Sequence, residues 1–284
     1  MSDVNASGPG PVDLHTHTVF SDGLFTPERL LREAKLKGLV AVAITDHDAL
    51  GGIGRGMRAG REVGIEVVPG VEMSCTVDGI DVHILGYYLD ENDPDVLGFF
   101  AGLQHAREER ARRMCERLGQ LGYVVSIDRV QAIAKGAALG RPHVAQAMVE
   151  AGIVPDTNQA FKRFIGYDEP AYVPKMKLSP EEAVNFIKQH HGVSVIAHPG
   201  IYHNDNTVYA AIAAGVDGIE VWHPDHGPRE VDHYNEIAQK NGLLLTGGSD
   251  CHGGRKNGHI YLGEVLIPYK YLAAVKRKSR MRKN

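Results

Sequence analysis

Short clusters of histidine and carboxylate recur along the chain, each on or just after an apolar run. They are His15 and His17 in an HTH with Asp22 just beyond, His47 within TDHD, and Glu72 closing GVE. His83 in VHILGY, His198 in AHP, His223 in WHP, and Asp250 with His252 in SDCH complete the series. Two histidines at i and i+2 on an extended segment project to the same side, so both rings of the HTH reach one ion. Asp22, on the following loop, reaches a second ion, and Glu72 at a strand end is placed to bridge two ions with its two oxygens. Histidine and carboxylate without thiolate suit zinc, manganese or iron. An HxH alone is a weak signal. The whole ordered set is a strong one, and it predicts several divalent ions held at one end of a barrel.

The elements that must position these groups alternate between strand and helix. Val12 to His15 reads as a short strand. Thr26-Pro27 opens a helix that Gly38 closes. Leu39 to Thr45 is a buried strand, Gly52 to Gly64 a helix, and Ile65 to Val71 and Ile80 to Tyr88 are strands. Ser179-Pro180-Glu181-Glu182 is a capping box before a helix that Gly192 ends. Val193 to Ala197, Gly218 to Trp222 and Leu243 to Gly247 follow as strands, separated by helices near Thr207 to Ala214 and Pro228 to Asn241. This rhythm predicts parallel strands with helical crossovers. The polar clusters fall mostly at the C-terminal ends of these strands, where the loops of a (β/α) barrel converge. His83 is the exception: it lies inside its strand and must point inward from the wall.

The stretch from Asp90 to Tyr172 breaks the rhythm. Phe99 to Leu121 is a long helical pattern carrying Arg107, Arg110, Arg112, Arg113 and Arg117, and shorter helical pieces follow, with GRPH at Gly140 to His143 among them. The expected fold is therefore α/β: a closed or nearly closed seven-stranded (β/α) barrel with an all-helical insertion after the fourth strand. The barrel takes residues 1–98 and 171–284, and the insertion takes 99–170.

Composition bounds the rest. The chain has 284 residues, 43% of them hydrophobic, which is ample for a buried core. A net charge of -4 gives no global nucleic-acid signal. Cys75, Cys115 and Cys251 form no CxxC and read as free thiols in a reducing compartment. The leader has no signal-peptide pattern, and no apolar run approaches the roughly 20 residues of a membrane span. A cytoplasmic protein without membrane contact is expected.

The ordered set HxH, DHD, E, H, HP and SDxH resembles the PHP (polymerase and histidinol phosphatase) family of metal-dependent phosphoesterases across the barrel portion. The resemblance implies a distorted seven-stranded (β/α) barrel with a trinuclear centre. His15, His17, Glu72 and Asp250 would hold one ion, Glu72, His83 and His198 the second, and Asp22, His47 and His252 the third. The insertion with GRPH resembles the subgroup acting on nucleoside 3′,5′-bisphosphates and short 5′-phosphorylated RNA. That implies a small nucleotide, or a short single-stranded RNA, as the partner. The metals would supply the attacking water. Arg141 would clamp a phosphate bidentately, and His223 would give the leaving hydroxyl its proton. His143 and Lys175 are further substrate-binding candidates.

Blander readings stand beside these. Asp48 reads as a cap for the following helix. Asp46 reads as either an orienting carboxylate or a turn residue. The arginine run reads as a solvated face. Trp222 reads as part of the barrel mouth, His203, His226 and His233 as surface histidines, and Cys251 as a thiol without a base to activate it. The basic stretch from Lys270 reads as a frayed terminus able to attract RNA. Competing activities are a histidinol-phosphatase-like phosphomonoesterase, a binuclear amidohydrolase and a non-catalytic metal scaffold. The amidohydrolase class often bridges its metals with a lysine on the fourth strand, where this chain offers His83.

Overall fold

The computed structural model describes residues 9–174, 178–254 and 258–283. The first half runs β1 (Pro11–Asp13), α1 (Pro27–Leu36), β2 (Ala41–Ile44), α2 (Ile53–Val63), β3 (Glu66–Val77) and β4 (Ile80–Tyr87). The helical stretch follows as α3 (Pro94–Gln120), α4 (Ile127–Ala134), α5 (Arg141–Glu150) and α6 (Thr157–Ala160), which passes into a π-helical turn at Phe161–Ile165. The second half is α7 (Pro180–Gln189), β5 (Val193–Ile196), a 3-10 turn at Pro199–Tyr202, α8 (Asp205–Ala213), β6 (Gly218–Trp222), α9 (Pro228–Asn241), β7 (Leu244–Gly247), β8 (Ile267–Pro268) and α10 (Tyr269–Lys283).

Local chemistry sets several boundaries. Thr26 accepts the Arg29 amide at 3.3 Å before Pro27 begins α1. At α7 the Ser179 hydroxyl accepts the Glu182 amide at 3.1 Å while the Glu182 carboxylate accepts the Ser179 amide at 2.8 Å. Each bond satisfies an amide that the helix leaves without a partner.

The strands form one sheet in the order β7-β6-β5-β4-β3-β2-β1-β8. It curls until its ends meet: the Leu14 amide donates to the Gly247 carbonyl at 3.1 Å, and Thr16 pairs with Cys251. Gly248 permits this closure, since a side chain there would overlap His15. Two features depart from the expected all-parallel barrel. The short β8 adds an eighth strand antiparallel to β1, and β4 runs antiparallel to both β3 and β5. The cause of the second is the Asp78-Gly79 turn. Both residues have positive φ, 49° and 84°, as a two-residue hairpin requires, and Val77 pairs with Ile80 across it. β3 therefore continues six residues beyond the expected end at Val71, and β4 returns beside it.

Apolar side chains from the strands, among them Val12, Leu14, Ala43, Val68, Leu85 and Val195, fill the barrel interior. Tyr87 crosses it to donate to the Leu14 carbonyl at 2.8 Å. The first half of α3 packs with the barrel's outer layer through Val96, Phe100 and Leu103. Its second half joins a separate cluster with Val130, Val144, Met148 and Phe164. The basic C-terminal stretch is no frayed end. It forms α10, which buries Leu272 and Val275 and pairs Arg282 with Asp217 at 2.6 and 2.7 Å.

Candidate active site

The strand ends bring the nine expected ligand residues into one cluster, six of them buried and Asp22, His47 and His83 partly so. His15 and His17 follow β1, and His47 follows β2 and bridges to Glu72 in β3. Glu72 lies at the centre, and its two oxygens face different neighbours. Oε2 is 3.2 Å from His15 Nε2, 3.1 Å from His17 Nε2 and 3.1 Å from His47 Nδ1. Oε1 is 2.8 Å from His83 Nδ1 and 2.9 Å from His198 Nε2. Asp250 Oδ1 closes one side at 3.0 Å from His17 Nε2, and Asp22 Oδ1 lies 3.2 Å from His252 Nε2. The reversed β4 explains His83: it sits directly across from Ser74, two residues beyond Glu72, so its ring meets the cluster from mid-strand.

The donor atoms fit divalent cations. His15 Nε2, His17 Nε2, His47 Nδ1, Glu72 Oε2 and Asp22 Oδ1 are buried, and none makes a hydrogen bond among the described residues. Such atoms are costly to bury unless a cation takes them as ligands. Three groups of them fall within 4.8 Å: His15, His17, Glu72 and Asp250; His17, Asp22, His47 and His252; and His47, Glu72 and His83. His198, by its contact with Glu72 Oε1, belongs beside the last. The field is that of a cation site. Burial alone would lower His17, but Asp250 and Glu72 outweigh it and hold its pKa at about 10. Burial prevails at His198, which is pushed down to about 4. His198 and Asp250 also have positive φ, 27° and 47°, a strain that recurs where side chains must be aimed.

Several supporting residues were not read from the sequence. Glu220, buried in β6, accepts from His15 Nδ1 at 3.1 Å and from the His198 amide at 2.8 Å, so it orients two rings at once. Asp13 accepts the Ser249 and His15 amides at 2.9 and 3.3 Å, and burial raises its pKa to about 6. Their signal was an acid inside an apolar strand. Tyr202 accepts the His83 amide at 2.9 Å and donates to the Ala197 carbonyl at 3.1 Å. Among the described residues Asp46 makes no hydrogen bond to a histidine. Its carboxylate accepts from Thr18 and Ser21 and shapes the loop that carries Asp22.

A cavity of about 580 Å³ opens on the cluster. His47, His83, His198 and Asp22 line it, and so do Arg107, Arg110 and Arg141 from the insertion. Arg141 begins α5, and its guanidinium lies 4.6 Å from the Tyr167 ring centre and 5.6 Å from those of Phe161 and Tyr172. Arg110 is buried and donates to the Val173 carbonyl at 2.7 Å, but its Nη2 has no hydrogen-bond partner among the described residues. Burial and then the nearby Arg141 lower its pKa to about 10. Two guanidiniums held this close raise the local potential for an anion.

Other expectations change. His143 does not wall the cavity: it is buried, and its Nδ1 accepts the Gly140 amide at 3.1 Å, capping the start of α5. Lys175 lies outside the described residues. Asp48 caps no helix; it accepts the Ser74 amide at 2.8 Å and pairs with Arg107, which is therefore not on a solvated face. Arg113 is exposed as expected. Trp222 packs on Tyr271 instead of lining the mouth. His226 is buried between the Gly200 amide and the Val221 carbonyl, whereas His203 and His233 are exposed. His223 lies beside the cluster, its Nε2 3.6 Å from Asp250 Oδ2 and its Nδ1 accepting the Asp225 amide at 3.1 Å. Cys251 is buried, and burial raises its thiol pKa, which opposes a nucleophilic role.

Comparison with known proteins agrees with this picture. The family model described as the PHP domain matches residues 13–151. The chain is 33% identical over 258 residues to a 3′,5′-nucleoside bisphosphate phosphatase of Chromobacterium violaceum, covering 87% of this chain and 90% of that protein. It is 31% identical to the 5′-3′ exoribonuclease Rnm of Escherichia coli, over 84% of each. Among solved structures, a Bifidobacterium adolescentis protein named as a metal-dependent phosphoesterase superposes with a TM-score of 0.85. That pair is 34% identical, covering 96% of this chain and 98% of the other. Among the described residues no helix is long and apolar enough to cross a membrane.

Proposed function

The chain belongs to the PHP family of metal-dependent phosphoesterases, and from that premise we propose that it removes the 3′-phosphate of nucleoside 3′,5′-bisphosphates, with short 5′-phosphorylated RNA as a second substrate class. One observation carries this reading. One cavity is lined both by Asp22, His47, His83 and His198 of the carboxylate–histidine cluster and by Arg110 and Arg141, so a ligand with two phosphates has a partner for each. An amidohydrolase or a histidinol-phosphate site has no use for the second anion site.

The nine ligand residues are proposed to hold three ions, with manganese, zinc or iron compatible with the donor set. His15, His17, Glu72 and Asp250 take one, Glu72, His83 and His198 the second, and Asp22, His47 and His252 the third. Bound divalent ions would polarise the scissile phosphoryl group and lower the pKa of the attacking water. The chain's own side chains do the rest. Arg141 and Arg110 bind the remote phosphate, and its binding energy positions the scissile one. His223 accepts the Asp225 amide at Nδ1, so in its neutral form the proton sits on Nε2, the nitrogen that faces Asp250. We assign that proton to the leaving ribose oxygen. The buried thiols of Cys75, Cys115 and Cys251 suit a reducing compartment, in keeping with a cytoplasmic enzyme.

The reading is tested by comparing a 3′,5′-bisphosphate, a 5′-monophosphate, histidinol phosphate and a short 5′-phosphorylated RNA on metal-loaded protein. The bisphosphate is expected to have the highest kcat/KM. Faster cleavage of the monophosphate or of histidinol phosphate refutes the substrate assignment and leaves the family intact.

Arg141→Ala is expected to lower kcat/KM for the bisphosphate by about 10- to 150-fold, the loss of one charge-assisted contact. Metal content should not change. Arg113→Ala, on the exposed side of α3, is the control. Equal, small effects from both would mean that Arg141 only starts a helix.

A further inference from the structure

We propose that Arg107 is a positioning residue that locks two parts of the site together: the loop carrying His47 and the turn carrying Arg141. Arg107 lies in α3, inside the insertion, yet its guanidinium reaches three other segments. Nε donates to Asp48 Oδ2 at 2.8 Å, with Nη2 on the same oxygen. Nη2 also donates to Ser74 Oγ at 3.0 Å, and Nη1 donates to the Leu139 carbonyl at 3.2 Å. Both partners of the ion pair are largely withdrawn from water, with side-chain exposures of 14% for Arg107 and 4% for Asp48.

Asp48 translates this contact to the cluster. It follows His47 directly and adopts a positive φ of 47°, a conformation that must be held from outside. Its amide donates to the Glu72 carbonyl at 3.0 Å, and its Oδ1 accepts the Ser74 amide at 2.8 Å. The backbone flanking His47 is thereby pinned to the strand that carries Glu72, and the carboxylate that pins it is charge-balanced by Arg107. On the other side, Leu139 immediately precedes Gly140 and Arg141. One guanidinium thus sets the separation between the His47 side of the cluster and the anion-binding turn. Only a planar fork makes these divergent contacts at once, so lysine keeps one arm and loses the other.

The naming of the two halves rests on the phosphoesterase reading, but the lock itself does not, so the test uses no turnover. Manganese affinity is measured by calorimetry, and hydrogen exchange is followed at the Gly140 and His143 amides, with Met148 in the insertion's core as reference. Arg107→Met is expected to weaken the affected manganese site by about 10-fold or more and to speed exchange at Gly140 and His143 by a similar factor, with Met148 unchanged. Arg107→Lys, which keeps a cation for Asp48, is expected to restore most of the manganese affinity while leaving the fast exchange at Gly140 and His143. Wild-type behaviour of Arg107→Met in both measurements overturns the proposal. So does a uniform rise in exchange that includes Met148, or failure of Arg107→Lys to separate the two effects. If Arg107→Met does not fold, Arg107→Lys decides alone: retained affinity with local fast exchange supports the lock, and any other result refutes it.

Discussion

Replacing His17 or Asp250 with alanine is expected to abolish most phosphoesterase activity, by about 10³-fold or more, roughly 4 kcal/mol of lost transition-state stabilisation. Bound metal should fall in parallel. The two side chains meet at 3.0 Å, and each faces a different part of the cluster, since His17 is also 3.1 Å from Glu72 and Asp250 is 3.6 Å from His223. Removing either leaves the remaining carboxylates and imidazoles without a full ligand set for one ion. Metal analysis beside the rate measurement checks this. Full activity in either variant, or lost activity with full metal content, contradicts the assignment.

His223→Asn is expected to lower kcat for a nucleoside 3′,5′-bisphosphate by about 10²- to 10⁴-fold, the usual contribution of a positioned proton donor. The same variant should cleave p-nitrophenyl phosphate at nearly the wild-type rate, because nitrophenolate leaves without a proton. The pair of substrates separates proton donation from metal binding. If His223 acted mainly by supporting Asp250, 3.6 Å away, both substrates would suffer alike.

Much of the site was legible because its signals are local. HTH, TDHD and SDCH place ligand types at the ends of apolar runs, and a barrel gathers strand ends whatever its details. What could not be read depends on distant partners. Glu220 orients His15 across 205 residues of sequence, and its one local sign, an acid inside an apolar strand, does not name its partner. The antiparallel β4 was readable in principle, since Asp78-Gly79 between alternating apolar residues is a strong hairpin signal, but the barrel rhythm argued for a crossover. The arginines carry a similar lesson. Val96, Phe100, Leu103, Arg107, Arg110 and Met114 recur at three- and four-residue spacing, so Arg107 and Arg110 occupy the inward stripe of α3, while Arg113 falls off it. Counting charge predicted a solvated face; counting position would have put those two arginines inside. His143 stays off the cavity wall for a local reason: an imidazole at the third position of α5 is taken by the Gly140 amide.

Nine side chains from successive strands are expected to form one centre for three ions. Anomalous diffraction from crystals grown with manganese tests it most directly. Three peaks are expected: one among His15, His17, Glu72 and Asp250, one beside His83 and His198 on the other oxygen of Glu72, and one between Asp22, His47 and His252. No peak in the cluster, or peaks held by residues elsewhere on the chain, would contradict it.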